Sequence, residues 1–331
     1  MRKILPTVEA LVAGILAGNR VLLAQAITLV ESTRPEHITL AQEVIGQLAA
    51  HQEPAKPTLR IGVTGAPGSG KSTFIEALGM HLVENGHKVA VLAIDPSSSL
   101  RHGSILGDKT RMERLSAQDR AFIRPSPAGD ALGGVARKTR ETIFLVEAAG
   151  YDTILIETVG VGQSEIAVHS MTDLFLLLLL PGAGDELQGI KRGIVEMADL
   201  LVVNKADGDR VPLANQARMH YLNALHLFPA KTSTWIPQVL PCSAQSGEGI
   251  LKIWETIMLY AEHTRQNGFF DENRSQQALF WLKETLQAAL MHRFYTHQAV
   301  KNLLQQLEPN VVAGKVSPFA AAEAILKVWD K

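Results

Sequence analysis

Residues Gly65 to Ser72 read GAPGSGKS and have the composition of a loop that binds the phosphates of a nucleotide. They match the pattern GxxxxGKS between an apolar run that ends at Thr64 and a helix predicted from Lys71 onward. Glycines let successive backbone N–H groups face phosphate oxygens, and a helix start adds partial positive charge. We expect Lys71 to reach the β- and γ-phosphates. The predicted phosphate-binding residues are Gly65, Ala66, Pro67, Gly68, Ser69, Gly70, Lys71, Ser72 and Thr73.

Four oxygen-bearing side chains suit Mg²⁺, which binds phosphates together with one or two carboxylates. The Ser72 hydroxyl is the first of them. Asp95 closes the apolar run KVAVLAID, Glu157 closes DTILIET, and Asp108 lies in SILGDKT. We predict that all four hold Mg²⁺, directly or through water, although Asp108 taken alone fits a turn cap as well. The amide of Gly160 then lies where a γ-phosphate can be sensed.

A second short motif, NKAD at residues 204–207, follows the apolar run DLLVV and suits recognition of a base. The carboxylate of Asp207 can accept hydrogen bonds from N1–H and the exocyclic amine of guanine, whereas adenine offers no such pair of donors. We expect Asn204 to orient the loop and face the base edge, and the stem of Lys205 to lie along the ring. A later turn either offers backbone N–H groups to guanine O6 or is a plain loop; its residues are Ser243, Ala244 and Gln245.

The elements that must position these residues are short apolar strands separated by helix-length segments. Near-continuous apolar strands alternating with helices are typical of a parallel sheet covered on both faces, with functional loops at the carboxyl ends of the strands. The fold class is therefore α/β, a P-loop NTPase with a mostly parallel central sheet. The predicted strands are residues 60–65, 88–95, 152–158, 173–180, 199–205 and 235–243.

Helical periodicity before and after this region predicts two additions to the nucleotide-binding domain. Residues 1–57 form an N-terminal helical extension, residues 58–262 the nucleotide-binding domain and residues 263–331 a C-terminal helical arm. Ser317 and Pro318 read as the N-cap and first turn of a last helix. The apolar stripe of the arm suits either a dimer interface or a helical pair folded back on the same chain.

Composition excludes several classes of protein. Among 331 residues, 32 Lys and Arg balance 33 Asp and Glu, so the chain has no global field for nucleic acid or anionic lipid. The longest apolar run, residues 174–180, is far shorter than the roughly 20 residues of a membrane helix. The single cysteine, Cys242, cannot form an internal disulfide and reads as a small buried residue beside the base loop. With no export signal, we expect a cytoplasmic protein without nucleic-acid or membrane partners.

Seven motifs, in this order, resemble those of the MeaB/ArgK family of P-loop GTPases: GAPGSGKST, AIDPSSS, SILGDKTRM, ETVGVGQSE, GAGDELQGIKRGI, NKAD and CSA. The resemblance covers almost the whole chain. It implies a homodimer joined through C-terminal helices that binds Mg²⁺ with GTP or GDP. It also implies a chaperone for adenosylcobalamin-dependent methylmalonyl-CoA mutase that gates cofactor loading and protects or reactivates the mutase.

The same resemblance implies roles for particular residues. It places Asp95 and Asp108 in the first switch region, and Glu157 stands where the third GTPase motif usually has Asp. Residues 182–191 resemble an additional switch that communicates with the mutase. Its polar members Gln188 and Lys191 are predicted to contact the partner, the alternative being a solvated helix start.

The motifs offer more than one group to position the attacking water. Gln163 lies three residues after Gly160, whereas in Ras-like GTPases the glutamine directly follows the glycine. We predict slow intrinsic hydrolysis, with Gln163, Glu165 or Lys109 brought into place by a partner or second subunit. The predicted catalytic residues are Lys71, Glu157, Gly160 and Gln163.

Three other functions fit parts of the sequence. A metallochaperone GTPase for nickel or cobalt enzymes needs a soft metal site, yet the chain has one Cys and 11 His without ligand spacing. A P-loop kinase or ATPase linked to amino-acid transport does not need NKAD. A switch that binds GTP without useful hydrolysis stays open, because a γ-phosphate can order loops without being cleaved.

Overall fold

A computed structural model describes residues 5–51, 58–95, 112–127, 132–158, 164–182 and 192–329. The chain divides into two compact units, Met1–Gln277 and Ala278–Lys331. The first unit holds the nucleotide-binding motifs, and the second holds the helices at the end of the chain. The predicted boundaries after residues 57 and 262 stay predictions.

The strands are β1 Leu59–Gly65, β2 Val89–Asp95, β3 Ala121–Pro127, β4 Thr153–Thr158, β5 Leu174–Leu179, β6 Leu200–Val203 and β7 Gln238–Pro241. The helices are α1 Val8–Leu16, α2 Arg20–Glu31, α3 Pro35–Ala50, α4 Lys71–Glu84, α5 Glu113–Ser116, α6 Leu132–Ala148, α7 Ser164–His169, α8 Arg192–Met197, α9 Val211–Leu225, α10 Ile250–Gln266, α11 Phe269–Thr296, α12 Gln298–Val312 and α13 Pro318–Trp329. A 3-10 turn, Gly208–Arg210, precedes α9.

In the described residues, the strands form one parallel sheet in the order β3-β2-β4-β1-β5-β6-β7. Strand β1 lies between β4 and β5, with Val63 beside Glu157 and Gly65 beside Leu178. The carboxyl ends of these strands therefore share one edge of the sheet. This architecture confirms the predicted α/β fold.

Strand β5 explains why an unbroken leucine run belongs to this sheet. Leu176 and Leu178 join an apolar cluster with α4 and α10, whereas Leu177 and Leu179 join a second cluster with α8 and α9. Successive strand side chains point to opposite faces, so a strand covered on both sides is apolar at every position.

One strand escaped the sequence analysis. Strand β3 has the sequence AFIRPSP, in which two prolines argue against a strand in the middle of a sheet. It lies at the edge and pairs only with β2 among the described strands. An edge strand tolerates proline because its outer N–H groups need no ladder partner.

The predicted start of the last helix agrees with the structure. The backbone N–H of Ala320 donates to Ser317 Oγ at 3.1 Å, and Pro318 is the first residue of α13. In the described parts of the chain, each helix is too short or too polar to cross a lipid bilayer.

Candidate functional site

The loop between β1 and α4 has the backbone geometry of a phosphate cradle. Gly70 has a φ of +87°, in the left-handed region that glycine adopts without strain. A Cβ atom on Gly70 would lie 2.7 Å from Nδ2 of Asn204, so a larger residue would collide with the second motif. Helix α4 begins at once, with the N–H of Phe74 donating to Gly70 O at 2.8 Å. The loop and helix start thus leave N–H groups for an anion.

Lys71 lies inside the loop and is buried. Its Nζ donates to the carbonyl oxygens of Gly65 at 2.9 Å and Ala66 at 3.2 Å. Burial lowers the pKa of Lys71, while the negative charges of Glu157 and Glu165 raise it by less. A phosphate in the loop would supply the charge that a buried ammonium group needs.

Ser72 and Glu157 come together beside Lys71. The Ser72 hydroxyl donates to Glu157 Oε1 at 3.1 Å, which joins two of the four predicted Mg²⁺ ligands. One hydroxyl and one carboxylate oxygen are the donor types that Mg²⁺ takes beside nucleotide phosphates, so this pair fits that ion. Asp95 is the last residue of β2 and its side chain lies outside the described residues, as does the whole of Asp108.

Asn204 joins three loops at the same edge of the sheet. Its Nδ2 donates to Ser69 O at 2.8 Å, and its Oδ1 accepts from the backbone N–H of Ala244 at 3.1 Å. The thiol of Cys242 donates to the same Oδ1 at 3.5 Å. The side chain is 2% exposed. Asn204 therefore connects the three loops, while its predicted role at the base edge stays a prediction.

The carboxylate of Asp207 is fixed from one side. Ser243, which is fully buried, donates its hydroxyl to Asp207 Oδ2 at 2.7 Å. Each carboxylate oxygen has two lone pairs, so both oxygens can still accept from a base. Lys205 has a φ of +60°, and its Cε lies 3.9 Å from the point that a Cβ on Gly70 would occupy. The stem of Lys205 thus lies beside the phosphate loop.

Comparison with known proteins identifies the family of this site. The family profile described as methylmalonyl Co-A mutase-associated GTPase MeaB matches residues 23–299. The chain belongs to the MeaB family of GTPases. Two relatives illustrate how far the similarity extends. The GTPase ArgK of Escherichia coli (strain K12) is 44% identical over 301 residues, which are 91% of this chain and 90% of that protein. A Mus musculus protein described as methylmalonic aciduria type A homolog, mitochondrial, is 46% identical over 329 residues, 97% of this chain and 79% of that protein.

A solved structure supports the fold of this MeaB-family chain. The crystal structure of a protein described as LAO/AO transport system kinase is 36% identical, has a TM-score of 0.75 and covers 98% of each chain. The P-loop fold that the motifs predicted is therefore confirmed.

Several predicted residues of this MeaB-family chain lie outside the described residues: Gly160, Gln163, Lys109, Gln188 and Lys191. Among the other predicted residues, Pro67, Gly68, Thr73 and Gln245 are exposed at the same edge of the sheet. Among the described residues, no three His, Cys, Asp or Glu side chains are grouped so that they could hold a metal ion.

The sequence analysis missed a pair of hydroxyls beneath the site. Thr158 donates to Thr64 Oγ1 at 2.8 Å, and both residues are buried. They join the carboxyl ends of β4 and β1, next to Glu157 and the phosphate loop in sequence. Each of the two apolar runs ends in a threonine, which is visible in the sequence, but only the strand order shows that the two runs are neighbours.

Cys242 is buried, as the sequence predicted. Burial raises the pKa of its thiol to about 12, which keeps the thiol unreactive.

Proposed function

We propose that this protein is a cytoplasmic GTP-binding and GTP-hydrolysing chaperone for an adenosylcobalamin-dependent acyl-CoA mutase, methylmalonyl-CoA mutase. The family description and the printed names of the relatives support the partner. The geometry of the site supports the nucleotide. The observation that carries the proposal is the Asn204 side chain, whose bonds to Ser69 and Ala244 hold the phosphate loop and the two base loops in one site.

The proposed site divides the nucleotide between its loops. The residues proposed to bind phosphates are Gly65, Ala66, Pro67, Gly68, Ser69, Gly70, Lys71, Ser72 and Thr73. Asp207 accepts from the guanine N1–H and exocyclic amine, because a buried hydroxyl already fixes its plane. Lys205 covers one face of the ring, and Ser243, Ala244 and Gln245 present backbone N–H groups to guanine O6.

Ser72 and Glu157 would hold Mg²⁺, together with Asp95 and Asp108. When bound, Mg²⁺ supplies positive charge that offsets the charge of the β- and γ-phosphate oxygens. In this proposal the Ser72 hydroxyl presents its oxygen toward the phosphates, and its hydrogen bond to Glu157 fixes that orientation.

Hydrolysis in this proposal depends on stabilising charge. Negative charge builds up on the phosphate oxygens as the bond to the leaving group lengthens. Lys71 and the backbone N–H groups of the loop meet that charge in a buried site, where each interaction is stronger than in water. We place Gly160 at the γ-phosphate and Gln163 near the attacking water, and we expect slow intrinsic hydrolysis without the partner.

Replacing Ser243 with alanine tests the assignment of the base site. The substitution removes the hydroxyl that fixes Asp207, so we expect affinity for GDP to fall about 10-fold, the size of one hydrogen bond to a charged group. Titration with a fluorescent GDP analogue measures it. Ser246→Ala, in the same turn but exposed, serves as the matched control. Unchanged affinity for GDP in Ser243→Ala would show that the Ser243 hydroxyl is not needed to hold Asp207 for base binding.

The partner is tested by capture of purified methylmalonyl-CoA mutase on the immobilised protein. We expect capture to differ among protein loaded with a non-hydrolysable GTP analogue, with GDP and with no nucleotide, because residues 182–191 act as the partner switch. Gln188→Ala and Lys191→Ala should weaken capture without changing nucleotide affinity. Absence of capture in every nucleotide state would exclude this mutase as the partner.

The proposed homodimer rests on α11, whose part in the second unit carries exposed apolar side chains, among them Leu279, Leu282, Leu286 and Leu290. Apolar side chains repeated along one helix are typical of a surface that another helix covers. Sedimentation equilibrium of the purified chain measures the mass, and twice 36.0 kDa is the expected result.

A further inference from the structure

Glu165 is a buried acid with one carboxylate oxygen that lacks a hydrogen-bond donor among the described residues. It is the second residue of α7 and is 2% exposed. Its Oε2 atom is buried and lacks a hydrogen-bond partner among the described residues. A carboxylate oxygen buried without a donor costs free energy. The arrangement therefore suggests that a donor arrives with a ligand.

Helix α7 places Glu165 toward the nucleotide edge of the sheet. The helix packs on β1 and β4, and a Cβ on Gly62 would lie 2.9 Å from Val168 Cγ1, so the approach to β1 is close. The chain returns through α7 from the carboxyl end of β4 to the amino end of β5, so α7 runs opposite to the strands. Glu165 precedes Val168 by three residues, about 4.5 Å along a helix, and is displaced by that distance toward the phosphate loop.

The charge of Glu165 acts on the phosphate loop. Its carboxylate raises the pKa of Lys71 against the larger effect of burial, so the two side chains lie within electrostatic range of each other. Glu157, a second described carboxylate whose charge acts on Lys71, accepts from Ser72. Glu165 is thus the acid near Lys71 that has an oxygen available for a new donor among the described residues.

We propose that Glu165 Oε2 accepts a hydrogen bond from the water that attacks GTP, a role that rests on the proposed GTPase function. Phosphate oxygens repel a carboxylate, whereas water offers it an O–H donor. The water oxygen forms a bond to the γ-phosphorus, the bond from that phosphorus to the β–γ bridging oxygen breaks, and its electron pair stays on GDP. Both protons of the water end on inorganic phosphate, so GTP⁴⁻ and H₂O give GDP³⁻ and H₂PO₄⁻. Glu165 orients the water and is unchanged.

Glu165→Ala and Glu165→Gln test this role in the full-length protein by single-turnover hydrolysis. We expect the rate constant to fall on the order of 10²-fold in Glu165→Ala, typical of a lost group that aligns or polarises the water. It should fall less in Glu165→Gln, whose amide oxygen is a weaker acceptor. Affinity for a non-hydrolysable GTP analogue should stay equal or rise, because a negative charge has been removed. A change in rate without a loss of affinity identifies a group that acts in the transition state.

The controls separate this inference from the proposed function. Glu84→Gln removes an exposed acid at the end of α4 and should hydrolyse GTP at the wild-type rate. Thermal unfolding should show no loss of stability in Glu165→Ala. If both Glu165 variants hydrolyse GTP at the wild-type rate, or lose affinity instead of rate, the role of Glu165 is wrong while the GTPase function stands. If the wild-type protein fails to bind GTP, the proposed function itself is wrong.

Discussion

Replacing Lys71 with alanine is expected to slow GTP hydrolysis on the order of 10³-fold while the protein stays folded. The substitution removes a lysine that is 8% exposed and whose ammonium group has two carbonyl partners in the phosphate loop. In such a dry site, the charge stabilises the phosphate oxygens far more than it would in water. Burial lowers the pKa of this lysine, so its loss removes a desolvation cost together with two hydrogen bonds, and the stability of the fold changes little.

Single-turnover hydrolysis and thermal unfolding measure the two effects. The matched control is Lys252→Ala, which removes a lysine whose side chain is 63% exposed and pairs with Glu255 at 3.2 Å. Exposed pairs contribute at most about 1 kcal/mol, so this variant should behave as wild type. Hydrolysis by Lys71→Ala at the rate of Lys252→Ala would show that the lysine does not act on the transition state.

Proton uptake gives a second readout of the same residue. Burial lowers the pKa of the empty-site Lys71, and bound phosphate should raise it. Between the two pKa values, the empty site binds fewer protons than the loaded site, so GTP binding takes up a proton. Calorimetry in buffers of different ionisation enthalpy detects it, and the uptake should be absent in Lys71→Ala.

The sequence predicted the parts of the fold and site that depend on local pattern. The phosphate loop and NKAD are contiguous, and six of the strands have apolar runs that stand out from their neighbours. The structure brings the loops of these two motifs together through Asn204 and Ser69, which are 135 positions apart. The order of the motifs along the chain does not predict this contact, because the contact depends on which strands are neighbours in the sheet.

The features that escaped prediction depend on neighbours rather than on residue type. The prolines of β3 argue against a strand until its place at the sheet edge is known. The hydroxyls of Thr64 and Thr158 pair only because β1 lies beside β4. Glu165 was one of three candidates for the attacking water, and its burial among the described residues is a property that residue type alone does not give.

Replacing Asp207 with asparagine is expected to exchange guanine for xanthine as the preferred base. Guanine presents two N–H donors to the carboxylate, whereas xanthine has an oxygen in place of the exocyclic amine. An amide can accept from N1–H and donate to that oxygen. We expect affinity for GTP to fall on the order of 10³-fold, because the amide N–H would face the exocyclic amine of guanine and leave both donors unpaired. Affinity for xanthosine triphosphate should rise, because the same N–H then meets an oxygen.

The surroundings of Asp207 allow the new amide to turn either way. Ser243 now donates its hydroxyl to Oδ2 at 2.7 Å, but a hydroxyl can also accept, so an amide N–H can replace that oxygen without leaving an unpaired group. The Asp207→Asn substitution therefore should not lower the stability of the fold. Competition of GTP and xanthosine triphosphate against a fluorescent GDP analogue measures the base preference, with Asp209→Asn, a substitution of an exposed neighbour, as control. If Asp207→Asn still preferred guanine as strongly as Asp209→Asn does, another group would have to read the base, and the two loops held by Asn204 would have no demonstrated ligand.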